Sequence, residues 1–101
     1  MKNQNKMDFL EDLYLVIKSR AESKKKNSYT RSLIKGGKNK ISQKIGEESI
    51  ELIVDYLSGS KKRTIEEASD LIYHLLVLLY SKKITINDIR QELFKRKSVR
   101  R

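Results

Sequence analysis

The fold is decided by residues 39–80, which read NKISQKIGEESIELIVDYLSGSKKRTIEEASDLIYHLLVLLY. Apolar residues recur at helical spacing on both sides of a short Ser-Gly-Ser connection, which predicts one helix over 39–57 and a second over the remainder. Ser60 or Thr64 can cap the second helix, and Gly59 suits the left-handed position that often ends a helix. Because the connection is short, the two helices should form an antiparallel hairpin.

A further helix is predicted on each side of this hairpin. Upstream, apolar residues recur every three or four positions over residues 8–22. Downstream, Thr85 followed three residues later by Asp88 is a helix start signal. Residues 23–38 are mostly polar and end near a pair of glycines, so they are predicted to form a long loop, and long ordered loops are often functional.

The composition favours an all-α, four-helix protein with a single domain over residues 1–101. The chain has no Pro, four Gly and 36% charged residues, so little interrupts a helix. It has no Cys, which excludes disulfides and thiolate metal sites. Neither a signal peptide nor a membrane span is evident, so a cytoplasmic protein without a membrane partner is expected. Residues 1–7 and 96–101 are predicted to be frayed tails.

The second helix of the hairpin carries apolar residues nearly all around its circumference between Leu71 and Leu79. A helix that is apolar on every side is buried on every side. One small four-helix chain has too few neighbours to cover this helix. A second subunit should therefore pack there, most simply in a two-fold homodimer that completes the bundle.

Acidic residues concentrate in the hairpin although the chain has a formal net charge of +10. On a helical projection Glu47, Glu48 and Glu51 lie within about 100° of one another, and the antiparallel partner can bring Glu67 and Asp70 opposite them. Like charges at i, i+4 or i, i+3 destabilise a helix by roughly 0.2–0.5 kcal/mol per pair, so a positive group should compensate.

Oxygen ligands without His or Cys partners select hard cations, so Mg²⁺, with Mn²⁺ as an alternative, is the expected metal. A divalent cation held by carboxylates suits the hydrolysis of a phosphoanhydride, in which surrounding lysines would bind phosphates. All five acids (Glu47, Glu48, Glu51, Glu67 and Asp70) are therefore candidate catalytic and metal-binding residues.

Two segments resemble the phosphoribosyl-ATP pyrophosphatases of histidine biosynthesis, which belong to the all-α, MazG-like nucleoside triphosphate pyrophosphatases. These segments are residues 37–51, GKNKISQKIGEESIE, and residues 65–79, IEEASDLIYHLLVLL. The superfamily signature, Glu-Glu-x-x-Glu followed by Glu-x-x-Asp, identifies only the wider group. The contexts KIGEE and DLIYHLLVLL, with the SYT tripeptide at residues 28–30, narrow the resemblance to the phosphoribosyl-ATP branch.

The resemblance implies cleavage of the α–β phosphoanhydride of phosphoribosyl-ATP to phosphoribosyl-AMP and pyrophosphate, with water as nucleophile and Mg²⁺ bound by the five acids. Lys40 and Lys44 are then candidates for phosphate contacts, and Ser28 and Tyr29 for a loop that closes over the substrate. Members of the family often have a basic residue where Gly36 stands. Additional phosphate-binding candidates are therefore Lys35 and Lys38.

Two other functions fit parts of the sequence. A house-cleaning pyrophosphatase acting on ordinary or damaged nucleotides would use the same acids. A basic nucleic-acid-binding protein would use the lysine run at residues 24–26 and the basic C-terminus, but the acidic stripe and the lack of an aromatic stacking platform count against it. His74 shares a face with Glu67 and Asp70, yet a single His in so apolar a helix is expected to be a packed residue rather than a general base.

Overall fold

A computed structural model describes residues 9–24 and 28–100, with side chains through residue 97. The described residues form four α-helices and no strand, which confirms the all-α prediction. The helices are α1 Phe9–Glu22, α2 Tyr29–Ser58, α3 Lys61–Ser81 and α4 Ile86–Arg100. Residues 1–7, predicted to be a frayed tail, lie outside the described residues, and α4 extends to Arg100 through most of the other predicted tail. Within the described ranges no helix is both long enough and apolar enough to cross a membrane.

Helices α2 and α3 form the predicted antiparallel hairpin. Near the connection the Thr64 hydroxyl donates a hydrogen bond to the carbonyl of Asp55 at 3.2 Å. At the opposite end, Ile41 of α2 and Leu78 of α3 line the same small cavity. Contacts at both ends place the two helices side by side along their length. Residues in the middle of α2 therefore lie opposite residues in the middle of α3.

The predicted long loop over residues 23–38 is wrong for residues 29–36, which are helical. Ser28 caps this segment by accepting a hydrogen bond from the backbone N–H of Arg31 at 3.1 Å. Thr30 and Leu33 are 1% and 0% exposed, so their helical spacing packs one face of the segment into the protein. The capping residue Ser28 and this spacing were sequence signals for a helix, but the surrounding polar residues obscured them.

A kink at Gly37 divides α2 into two helical segments. Gly37 has φ 84° and ψ −175°, a conformation that is essentially restricted to glycine. The kink turns the chain so that the first segment packs against α3 beside the second segment. The glycine pair therefore marks a change of direction within a helix rather than a loop.

Of the two caps considered for α3, Ser60 is the one used, because its hydroxyl accepts a hydrogen bond from the N–H of Arg63 at 3.0 Å. The predicted left-handed conformation of Gly59 is wrong, since its φ is −100°. Glycine is needed there for space: a Cβ would lie 2.5 Å from Oδ1 of Asp55. Helix α4 begins as predicted, with Thr85 and Asp88 each accepting a hydrogen bond from the other's backbone N–H.

The core is small and leaves two apolar surfaces exposed. Its fully buried members include Ile17, Leu33 and Val77. The first exposed surface, here called the α3–α4 groove, is lined by both helices and by Leu10 of α1. Its large exposed side chains are Leu10, Ile72, Leu75, Ile89, Leu93 and Phe94. The second, here called the α2 stripe, consists of Ile50, Ile53, Val54 and Leu57, each more than half exposed.

Candidate metal and substrate site

Three acidic residues converge in the middle of the α2–α3 hairpin. One carboxylate oxygen from each of Glu48, Glu67 and Asp70 lies within 4.8 Å of the other two, and we call these three residues the carboxylate cluster. Glu67 and Asp70 share a face of α3 because they are three residues apart, and Glu48 reaches them from the facing α2. The hairpin therefore creates the cluster from residues that are distant in sequence.

Burial leaves part of the cluster without hydrogen-bond partners. Glu48 and Glu67 are 8% and 9% exposed, whereas Asp70 is exposed. The Oε1 atoms of both glutamates are buried and accept no hydrogen bond. A buried carboxylate oxygen without a partner is costly, and such groups in proteins are normally paired or coordinate a metal.

The electrostatic environment of Glu67 is correspondingly unfavourable for a negative charge. Its pKa is raised from 4.5 to about 7, first by burial, then by a side-chain hydrogen bond with Glu51 and by the negative charges of Glu51, Glu48 and Asp70. A cation among these carboxylates would remove the cause of this shift, because an opposite charge favours the ionised form.

The donor set fits a hard divalent cation. All three groups are carboxylates that lie close together, two of them carry partnerless buried oxygens, and no sulfur or imidazole ligand is among them. Oxygen-only ligand sets of this kind are typical of Mg²⁺, Ca²⁺ and Mn²⁺. The exposed position of Asp70 leaves one side of the cluster open to solvent and to a substrate.

The other two predicted ligands occupy different positions. Glu51 is exposed but close enough to raise the pKa of Glu67, so it borders the carboxylate cluster. Glu47 is also exposed and accepts a hydrogen bond from Gln43 at 3.1 Å, while Nζ of Lys44 lies 3.8 Å from its carboxylate. The hairpin thus brings four of the five acids together and leaves Glu47 on the outer face of α2.

Arg63 supplies a compensating charge that the sequence analysis did not identify. Its guanidinium lies 3.8 Å from Oε2 of Glu67 and 3.7 Å from Oδ2 of Asp55. The i, i+4 spacing of Arg63 and Glu67 on one helix could have predicted this ion pair from the sequence. Because the Arg63 side chain is 60% exposed, it partly offsets the charge at the edge of the cluster without filling its interior.

A hydrogen-bonded network fixes the start of α2 beside the cluster. Nδ1 of His74 lies 2.8 Å from the Asp70 carbonyl, which can only accept, so this nitrogen carries the proton. In the neutral ring Nε2 then accepts from the Tyr29 hydroxyl at 2.6 Å. Burial raises the pKa of Tyr29, which keeps its hydroxyl a donor. A hydrogen bond between Thr30 and Tyr73 ties the same segment to α3.

This network confirms that His74, 6% exposed, is packed and hydrogen-bonded through both ring nitrogens. Tyr29 is half exposed and lies near the cluster: Lys44 lowers the pKa of its hydroxyl, and Glu48 and Asp70 raise it. The predicted loop residue Tyr29 is therefore held by a helix and by a histidine.

The remaining predicted substrate residues have varied surroundings. Ser28 is the cap of α2, and Lys44 is half-buried between Tyr29 and Glu47. The Lys40 side chain covers Gly36, where an added Cβ would lie 3.0 Å from it. The last two, Lys35 and Lys38, are exposed, and only Lys38 lines a cavity described below.

Comparison with known proteins places this arrangement in a family. Residues 10–97 match the family described as phosphoribosyl-ATP pyrophosphohydrolase. The chain belongs to this family. It is 47% identical over 87 residues to a phosphoribosyl-ATP pyrophosphatase of Sulfolobus acidocaldarius, covering 86% of this chain and 92% of that protein. A phosphoribosyl-ATP pyrophosphatase of Clostridium novyi is 44% identical over 91 residues, which cover 90% and 83% of the two chains.

A longer relative is the histidine biosynthesis bifunctional protein HisIE of Bacteroides thetaiotaomicron, 44% identical over 97 residues. The match covers 96% of this chain and 48% of that protein, so the chain spans about half the length of the bifunctional relative. Family membership agrees with the resemblance carried by the two acidic segments.

Proposed function

We propose that this chain hydrolyses the α–β phosphoanhydride of phosphoribosyl-ATP in histidine biosynthesis, releasing pyrophosphate and phosphoribosyl-AMP. The observation that carries the proposal is the pair of buried, partnerless oxygens of Glu48 and Glu67 beside Asp70. This donor set is suited to a divalent cation that binds a polyphosphate. The names of the relatives that match over most of their own length support phosphoribosyl-ATP as the substrate.

Mg²⁺ is the proposed metal, with Mn²⁺ as an alternative, held by the carboxylate cluster with Glu51 beside it. When bound, the ion would neutralise charge on the phosphates and lower the pKa of a water molecule. Glu51 is placed to orient water, because its carboxylate lies beside Glu67 at the exposed edge of the cluster. Glu47 acts differently in this proposal: it orients Lys44.

Basic groups on α2 are proposed to bind the phosphates of the substrate. Lys44 is the strongest candidate, since it is half-buried next to Tyr29 on the same helix as Glu48. Lys40 lies one turn before Lys44 and is exposed. Lys35 and Lys38 are proposed for phosphates farther from the cluster, and Ser28 holds the start of α2 in place.

We also infer that the chain forms a homodimer. The α3–α4 groove and the α2 stripe expose large apolar side chains, including Leu75 at 43%, Phe94 at 61% and Leu57 at 74%. Large contiguous apolar patches are uncommon on monomers and mark interaction sites. The partner is expected on the α3–α4 groove, so Leu75→Glu should give a monomer by light scattering, and Leu15→Glu, a control at an exposed residue outside the groove, should not. A wild-type monomer at micromolar concentration would refute the dimer.

The activity is tested by measuring pyrophosphate release from phosphoribosyl-ATP, ATP and a panel of deoxynucleotides, with Mg²⁺ and with EDTA. The proposal predicts release from phosphoribosyl-ATP only, and only with metal. Glu48→Gln should abolish it, whereas the exposed Glu66→Gln on α3 should not. Activity on the other nucleotides would point to a house-cleaning pyrophosphatase, and no release from any of them would refute both.

A further inference from the structure

A second cavity lies away from the carboxylate cluster, between α1, the kink of α2 and the turn that follows α3. Its volume is about 570 Å³, within the range of about 300–1,000 Å³ typical of small-molecule sites. Ser81 lines it eleven residues after Asp70, so along α3 the cavity is roughly 16 Å from the cluster. None of the contacts of the carboxylate cluster involves this cavity.

Three lysines from three different parts of the chain line the cavity: Lys18 of α1, Lys38 after the kink and Lys83 in the α3–α4 turn. None of the three forms an ion pair with a carboxylate in the part of the chain that the structure describes. Glu22 is the one carboxylate in the lining, and it accepts a hydrogen bond from Tyr80 at 3.1 Å. The cavity therefore has an excess of unpaired positive charge.

The backbone is strained or unusual at two points of the wall. Lys83 has φ 62°, the left-handed conformation that is unfavourable for a residue with a Cβ. Gly37 has φ 84°, and its kink separates Ile34 from Ile41 so that both line the cavity. Lys83 adopts this conformation because it ends α3: its N–H donates to the Tyr80 carbonyl at 2.9 Å, and the N–H of Ile84 donates to the Leu79 carbonyl at 2.8 Å.

The rest of the wall suits a nucleoside. Tyr80 and Ile34 are half-buried and offer apolar surface, which the buried Tyr14 and Ile41 support from behind. Tyr14 and Tyr80 pack edge to face, with ring centroids 6.2 Å apart. Glu22 has a second carboxylate oxygen that can accept from a ribose hydroxyl. Flat apolar walls, a hydroxyl acceptor and several lysines match a base, a ribose and a phosphate respectively.

We propose that this cavity binds a ribose 5-phosphate group attached to a base, with Lys18, Lys38 and Lys83 around the phosphate. Two sources carry this chemistry. One is the far end of phosphoribosyl-ATP, whose adenine bears a second phosphoribosyl group opposite the triphosphate; this source rests on the proposed function. The other is a separate nucleoside monophosphate that regulates the enzyme. The binding site itself does not depend on the proposed function.

Binding is tested with AMP on the full chain in EDTA, by isothermal titration calorimetry. We expect saturable binding of one AMP per chain, weakened about tenfold by either Lys18→Gln or Lys83→Asn, since each removes one charge-assisted contact. Asn tolerates the left-handed conformation, so the Lys83 variant should stay folded, which circular dichroism checks. The matched control is Lys62→Gln, an exposed lysine on α3 outside the cavity, which should bind AMP like the wild type.

Steady-state hydrolysis of phosphoribosyl-ATP distinguishes the two sources. If the substrate's own phosphoribosyl group occupies the cavity, both variants raise KM and leave kcat unchanged, and AMP competes with the substrate. If a separate nucleotide binds there, KM without AMP is unchanged, and the variants lose the effect of AMP on turnover. The proposal is overturned if AMP shows no saturable binding at millimolar concentration, or if all four proteins bind it equally. AMP binding without turnover would retain the cavity site while refuting the proposed activity.

Discussion

Metal binding at the carboxylate cluster should displace a proton from Glu67, and this gives the cluster a quantitative test. The pKa of Glu67 is raised to about 7, mainly because the residue is buried and lies beside Glu51, Glu48 and Asp70. At pH 6 such a carboxyl is about nine-tenths protonated, and at pH 8 about one-tenth. Since a metal binds only the ionised form, the apparent Kd for Mg²⁺ or Mn²⁺ should be about tenfold weaker at pH 6 than at pH 8.

Calorimetric titration of the metal-free protein with Mn²⁺ measures both quantities. Titrations in two buffers of different ionisation enthalpy should give about 0.9 proton released per ion at pH 6 and about 0.1 at pH 8. Glu66→Gln, one residue away but exposed, should keep the tenfold change. An equal Kd at both pH values, with no proton release, would show that Glu67 is ionised before the metal arrives and would refute the reasoning.

Three further predictions follow from the same features. Glu51→Gln should abolish pyrophosphate release while preserving or raising the Tm of the metal-free protein, because it removes a like charge beside Glu67; an active variant would contradict the role of Glu51. In EDTA, the free energy of unfolding should fall as the pH rises from 4.5 to 7, because the folded state keeps the Glu67 proton over that interval and the unfolded state loses it. Urea denaturation at several pH values measures this fall, and Glu67→Gln should make the free energy of unfolding less dependent on pH. Gly37→Ala should lower the free energy of unfolding by about 1–3 kcal/mol, since alanine is strained at φ 84°. The control variant Gly46→Ala lies inside the helix, where alanine is favourable, and should not destabilise the protein. Equal urea midpoints for the two variants would argue against the kink.

The local elements were predictable because their signals lie within a few residues of one another. The Thr85–Asp88 pair sets the start of α4, and Ser60 sets the start of α3, each through hydrogen bonds to backbone groups in the next turn. The short connection between α2 and α3 makes an antiparallel hairpin nearly unavoidable. The helix over residues 29–36 was missed because its stability depends on burying Thr30 and Leu33 against other helices, which local composition does not report.

The candidate site likewise has features that the sequence predicted and features that only the packing of the helices decided. By itself the sequence predicted the class of chemistry, because carboxylates at helical spacing on two adjacent helices favour a hard cation where they meet. Only the tertiary structure decided that Glu48 and Glu67 are the buried members and that Glu47 faces outward with Lys44. A helical projection gives the angular position of each side chain around the axis of its helix, but burial depends on which face of that helix a neighbouring helix covers. The packing of α3 and the kink at Gly37 determine which face of α2 is buried. They also create the lysine-lined cavity from residues that no local sequence pattern connects.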